Sequence, residues 1–225
     1  MEGWLQTFCF AYYPYICISM LLAGLVFRHV YLPGTWNSQA SVIMEKKWLR
    51  IGAPLFHTGV LLTLAGHIFG LLLPDTFWEK VLGSSALHDS IALFVGKFLV
   101  IFMLVGLTIV TVRRLIFARV RTTSKTVDYV VVALLFVNIF TGLNQVFFLQ
   151  APMFELLGPW LRGLIIFQPD PSFVGMAPLF MQIHILSAFT IFALIPFSRL
   201  VHLLSFPATY LIRPLIVFRR RYSGL

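Results

Sequence analysis

Five long apolar runs punctuate the chain, at about residues 4–27, 51–73, 91–112, 129–149 and 176–204. Each reaches the roughly 20 residues that a helix needs to cross a bilayer. Polar positions fall mainly between the runs. The interruptions Pro14, Lys97, Asn138, Asn144, Pro178 and Pro196 lie inside them, where neighbouring helices must satisfy whatever they expose. The pattern predicts an all-α integral membrane bundle of five transmembrane helices. A shorter apolar piece at 156–167, set among Pro152, Pro159, Pro169 and Pro171, is too short to span. Its Trp160 and Arg162 predict an interfacial helix over the bundle. Residues 1–204 thus read as one membrane domain and 205–225 as a basic tail. The tail mixes Tyr210, Leu211, Ile212, Val217 and Phe218 with arginines, a composition that suits an interfacial anchor or an arm that docks a cytoplasmic partner.

Composition agrees. Of 225 residues, 59% are hydrophobic and 11% charged, whereas a soluble domain carries about 25% charged residues. A net charge of +9 on a soluble chain would point to nucleic acid; here its distribution points to topology instead. Arg28, Lys46, Lys47, Arg50, Arg113, Arg114, Arg119, Arg121, Lys125, Arg199, Arg213, Arg219, Arg220 and Arg221 make 14 of the 17 basic residues and fall in connections on one side. The other side holds Lys80, Lys97 and Arg162 with the acids Glu2, Asp75, Glu79, Asp89, Glu155 and Asp170. The positive-inside rule predicts an outer N-terminus and a cytoplasmic C-terminus, as for a multi-pass protein of a prokaryotic inner membrane. The start, Met-Glu-Gly-Trp, lacks the positive region of a cleaved signal, so the first run is expected to be kept as a span. Cys9 and Cys17 share that run, about 12 Å apart along a helix and too far for a disulfide. No Cys-x-x-Cys-His stretch exists for covalent haem, nor any iron–sulfur spacing.

The chemistry concentrates in imidazoles. His57 and His67 lie ten residues apart in the second run, and His184 and His202 in the fifth. An ionisable side chain at membrane depth is costly and marks a functional site by default. The two runs are antiparallel, so His67 and His184 stand level, about 9 Å inside the outer end, while His57 and His202 fall toward the cytoplasmic side. Zinc or copper would call for further Cys, His or carboxylate ligands, and neither run contains an acid. Two isolated pairs fit two b-type haems, each with two axial imidazoles. Gly52, Gly59 and Gly66 recur every seven residues, a spacing that admits either a flat ring or a neighbouring helix. The spacings disagree, however: ten residues rise about 15 Å and eighteen about 27 Å along a helix. His29, beside Arg28 at the inner end of the first run, reads as interfacial and is the competing ligand there.

Several motifs carry a resemblance. Leu55-Phe56-His57-x-Gly59 followed by Gly66-His67-x-Phe69-Gly70 resembles the respiratory nitrate reductase gamma subunit, a membrane di-haem cytochrome b. So do Arg114-Leu115-x-Phe117-x-Arg119-Val120-Arg121 and Pro196-Phe197-Ser198-Arg199-Leu200-Val201-His202. The likeness covers nearly the whole chain. It implies that His67 and His184 ligate one haem iron and His57 and His202 the other, with quinol oxidised near the outer haem. It also implies electron delivery to an iron–sulfur (beta) subunit and a catalytic molybdenum (alpha) subunit on the cytoplasmic side. In some members a lysine after span two is associated with the quinol site; here Ser84-Ser85-Ala86-Leu87-His88-Asp89 has none at the nearest position. His88, of a residue type that titrates near neutrality, takes that place beside Gly66 as a quinol-site residue, against the plainer reading of a solvated loop histidine. Arg199 is expected either to pair a haem propionate or to snorkel at the inner edge, and Lys97 carries the same two alternatives at the outer side. Related cytochromes of sulfite- or heterodisulfide-type reductases share the architecture. A proton-coupled transporter ranks lower, because it would call for acids deep in the spans and broken half-repeats.

Overall fold

A computed structural model describes residues 2–32, 45–149 and 154–204. The basic tail, residues 205–225, lies outside the described residues. Five helices are long and apolar enough to cross a membrane: α1 (Gly3–Tyr31), α2 (Lys47–Leu72), α4 (Ser85–Ile116), α5 (Thr126–Leu149) and α7 (Leu179–Phe197). Two shorter helices, α3 (Asp75–Leu82) and α6 (Phe154–Ile165), join them on the side opposite the basic clusters. Among the described residues there is no strand. The five-span expectation holds with shifted ends. The last one moves most, because the regular helix stops at Leu194 and yields to a 3₁₀ turn, Ile195–Phe197, at Pro196.

The bundle has two hydrophobic cores. One joins α1, α6 and α7 through Phe10, Cys17, Leu157, Trp160, Ile185 and Phe189. The other joins α2, α4 and α5 through Phe56, Val100, Met103, Leu107 and Ile139. Within the second core, α2 and α4 approach very closely on glycine. A Cβ at Gly106 would stand 2.8 Å from the Phe56 Cα and 2.9 Å from the Gly52 carbonyl. A Cβ at Gly52 or Gly59 would meet Ile109 or Met103. Those two members of the seven-residue repeat therefore serve helix packing. Gly66 differs, with nothing within 4 Å of the position a Cβ would take.

The helix α6 sits where the short apolar run predicts, and it packs one face against the bundle. Trp160 is buried, 3% exposed, and its indole N–H donates to the Phe10 carbonyl at 2.8 Å. Pro14 explains the acceptor. It has no N–H to return to the carbonyl four residues back, and a π-helical turn, Phe8–Tyr12, precedes it. Arg162 reaches the other half of the bundle, donating to the Leu71 carbonyl at 3.0 Å.

Candidate functional site

The two cores meet where α5 packs on α7 and α2 on α6, which leaves α2 and α7 facing each other across a gap. These helices make hardly any direct backbone contact among the described residues; their histidines bridge the gap. His67 and His184 stack with ring centroids 6.2 Å apart and planes 17° from parallel. His57 and His202 face each other with Nε2 atoms 3.5 Å apart. The pairing and the level of each pair follow the antiparallel register. His29, in the last turn of α1, is exposed and stands outside both pairs.

The unequal spacing is resolved by a break in the fifth span. Pro196 ends the helix, Ser198 adopts an extended backbone with φ −123° and ψ −178°, and the chain resumes as a 3₁₀ helix at Arg199–Leu203. From there the chain no longer continues the α-helix, so the eighteen residues between His184 and His202 need not extend along one straight axis. Arginine side chains hold the break. Arg28 on α1 donates to the Pro196 carbonyl at 2.6 Å and the Ser198 carbonyl at 3.1 Å. Arg199 donates to the Thr123 carbonyl and pairs with the buried Asp128 carboxylate at 3.0 Å. Asp128 also pairs with Arg114 at 3.4 Å and accepts the Lys125 N–H. Arg199 is thus a partner of Asp128 and a loop anchor.

All four imidazoles have Nδ1 engaged. His57 bonds the Ala53 carbonyl and His67 the Thr63 carbonyl, each at 2.7 Å. His202 bonds the Arg199 carbonyl at 2.6 Å, and His184 the Asn138 carbonyl at 3.0 Å. A carbonyl oxygen can only accept, so each Nδ1 carries the proton and each Nε2 presents its lone pair. A metal-bound histidine usually donates its other ring N–H to a carbonyl or carboxylate in this way. The 3.5 Å gap between Nε2 atoms is a little short of the roughly 4 Å set by two metal–imidazole bonds of about 2.0 Å. Among the described residues no group of three His, Cys, Asp or Glu side chains converges. The donor set fits an iron porphyrin, which brings its own equatorial nitrogens and asks for two axial ones.

A second cluster lies near the C-terminal end of α2. His88 stacks on Trp78 with centroids 4.1 Å apart and meets the Phe154 ring edge-on at 5.0 Å. Its Nδ1 contacts the Asp89 carboxylate at 3.0 Å. A Cβ at Gly70 would touch Phe154, so this cluster abuts α2 one turn beyond His67. The Trp78 indole N–H is buried without a hydrogen-bond partner among the described residues. His88 is therefore part of a built aromatic and carboxylate cluster. Sequence reasoning missed Trp78, Asp89 and Phe154 here. The adjacent Asp89 was a legible signal; the aromatic rings, distant in sequence, were not. Lys97 places its ammonium 6.0 Å from the Phe147 ring centroid.

The nitrate reductase gamma subunit family model matches residues 6–221. The chain belongs to that family. It is 34% identical over 212 residues to the nitrate reductase gamma chain of Bacillus subtilis (strain 168), covering 92% of this chain and 95% of that one. It is 33% identical over 228 residues to the respiratory nitrate reductase 2 gamma chain of Escherichia coli (strain K12), covering 98% and 100%. The nitrate reductase-like protein NarX of Mycobacterium tuberculosis (strain ATCC 25618 / H37Rv) is 33% identical over 215 residues, which is 33% of its own length. A multi-pass membrane subunit of a nitrate reductase is thus the family's frame for the gamma chain described here.

Proposed function

We propose that this chain is the quinol-oxidising, electron-conducting membrane subunit of a respiratory nitrate reductase. His67 with His184, and His57 with His202, would each hold a b-type haem through their imidazoles. The observation that carries the reading is the pair of facing Nε2 atoms, 3.5 Å apart, with every Nδ1 tied to a carbonyl. The haems, when bound, supply two one-electron carriers between the ends of the bundle.

The residues do the rest. Quinol lodges beside the open space at Gly66, between His67 and the Trp78–His88 stack. His88, its Nδ1 engaged by Asp89, accepts a quinol proton at Nε2, and the Asp89 carboxylate steadies the resulting imidazolium. Trp78 offers its indole N–H to a quinol oxygen. Oxidation to quinone releases two electrons and two protons, the protons to the outer side. The arginine-rich end faces the cytoplasm, where an iron–sulfur (beta) subunit takes the electrons for the catalytic (alpha) subunit. Nitrate chemistry belongs to the alpha subunit. Each electron moved inward works against the membrane potential at about 2.3 kcal/mol per 100 mV.

The test is a reduced-minus-oxidised spectrum of membranes holding the expressed chain. Two low-spin b-type components are expected, with His67→Ala removing one and His202→Ala the other. A chain without b-type haem overturns the proposal; spectra indifferent to both substitutions overturn the ligand assignment.

A further inference from the structure

One of the four histidines is held differently from the rest. His57, His67 and His202 each bond a carbonyl three or four residues back in their own chain segment. His184 instead reaches across to α5, where its Nδ1 lies 3.0 Å from the Asn138 carbonyl and 3.0 Å from the Thr141 hydroxyl. The Thr141 hydroxyl lies 2.8 Å from the Val137 carbonyl and 2.9 Å from the Asn138 carbonyl. Its proton goes to one of these carbonyls, so its lone pair is left for the imidazole N–H. The Asn138 side chain returns the grip, donating to the His184 carbonyl and to the Ser187 hydroxyl, both at 3.1 Å. Ser187 in turn donates to the His184 carbonyl at 2.9 Å. Gly142 leaves room for the ring, since a Cβ there would stand 3.4 Å from His184 Cε1. Positions 138, 141 and 142 share one face of α5, as the i, i+3, i+4 spacing requires.

We propose that Asn138 and Thr141, with Gly142 as the seat, are positioning residues that set the ring plane and donor strength of His184, so that this imidazole of the outer pair is gripped at its ring directly from a third helix. The proposal rests on the axial-ligand reading above. Both Thr141 and Ser187 are buried, and hydroxyl and amide groups at membrane depth are kept only with partners. A hydrogen bond from Nδ1–H makes a neutral imidazole more basic and fixes its orientation, and loss of such an outer partner costs about 10–100-fold in metal affinity. A more basic ligand favours ferric over ferrous iron, so taking away the Thr141 hydroxyl, one of the two acceptors of Nδ1–H, together with the Asn138 side-chain grip on the His184 carbonyl, raises the reduction potential of the haem it serves even though the Asn138 carbonyl stays.

The test uses membranes containing the full chain with its partner subunits, with separate redox titration and low-temperature EPR of the two haems. Thr141→Val combined with Asn138→Leu is expected to shift the outer component upward by about tenfold in its reduction equilibrium, 59 mV for one electron. Its EPR signal moves with the ring plane while the inner component stays in place. Thr141→Ser, which keeps the hydroxyl, is expected to retain both parent signals. Gly142→Ala is expected to move the outer EPR signal only. Outer and inner components that both stay, or both shift equally, overturn the proposal. So does a Thr141→Ser chain whose outer component shifts as far as that of the double variant, since bulk and not the bond would then be responsible. His184→Ala runs in parallel. If it leaves both haem signals intact the axial reading has failed; if it removes one and the double variant moves nothing, only the bracket has failed.

Discussion

Replacing Asp128 with asparagine strikes the inner pair through residues that touch neither imidazole. The carboxylate is buried, with its side chain 4% exposed, and faces two guanidinium groups, Arg199 at 3.0 Å and Arg114 at 3.4 Å. It also accepts the Lys125 N–H at 3.0 Å, which closes the N-terminus of α5. Removing one partner of a buried ion pair costs about 3–5 kcal/mol, mainly by leaving the other charge uncompensated. The arginines keep 16–19% of their side-chain surface exposed, and the asparagine oxygen still accepts one N–H. Both facts reduce the expected loss to about 2–3 kcal/mol. The mechanical consequence is more specific. Arg199 supplies the carbonyl that bonds His202 Nδ1, so loosening its side chain loosens the ligand on the far side of the break. Asp128→Asn should lower the thermal unfolding midpoint and reduce the inner b-type component, leaving the outer component in place. Quantifying both components in detergent-purified chain is the assay. Loss of the outer component first, or an unchanged inner one at the expected destabilisation, would refute the idea that this ion-pair cluster positions His202.

Four further outcomes are expected. Trp160→Phe removes the donor to the Phe10 carbonyl and should destabilise the chain by about 1–3 kcal/mol, read as a lower midpoint in thermal unfolding. Gly106→Ala pushes a methyl against the Phe56 backbone and should cost about 1–3 kcal/mol or more, with both haem components weakened because α2 carries a ligand of each pair. Asp89→Asn should reduce quinol oxidation by about 10²-fold while haem spectra stay unchanged; equal loss of haem would point to a folding role instead. The fourth concerns acid stability. Partial burial opposes the charge on Glu45, but the Trp48 amide and the Arg113 guanidinium, 2.7 Å away, outweigh it and hold the carboxyl below the usual glutamate range. A depressed folded value means stability that is present above the unfolded pKa of about 4.3 and lost as pH falls through the folded one. Glu45→Gln should therefore narrow its deficit against the parent chain as pH drops through that window, in unfolding midpoints measured between pH 7 and pH 3.

Much of this was legible because the bilayer imposes a length and the chain obeys it. The five spans, and the level pairing of His67 with His184 and His57 with His202, need only hydropathy and an antiparallel register. The glycine repeat was ambiguous for a physical reason. Gly52 and Gly59 face α4 and Gly66 faces open space, and one periodicity carries both meanings until the partner of each turn is known. The hydrogen bond of Trp160 was not legible in the sequence, because its acceptor, the Phe10 carbonyl that Pro14 leaves without a helix partner, lies 150 residues earlier.

The break at Ser198 is the instructive case. Pro196 announces a disturbance in the fifth span, but proline alone sets neither the direction nor the size of a bend. Both are decided by what takes up the carbonyls released there, and the donor is Arg28 at the opposite end of the sequence. The Arg199–Asp128 pair then fixes the segment that follows. A span of eighteen residues between His184 and His202 can thus match one of ten between His57 and His67 because the surplus is absorbed in a capped, irregular turn. The same turn sits where the basic residues crowd one end of the bundle, so these arginines have work inside the fold as well as in topology. Charge that reads in sequence as a sorting signal is, at Arg28, Arg114 and Arg199, also the means by which one histidine of the inner pair is brought opposite the other.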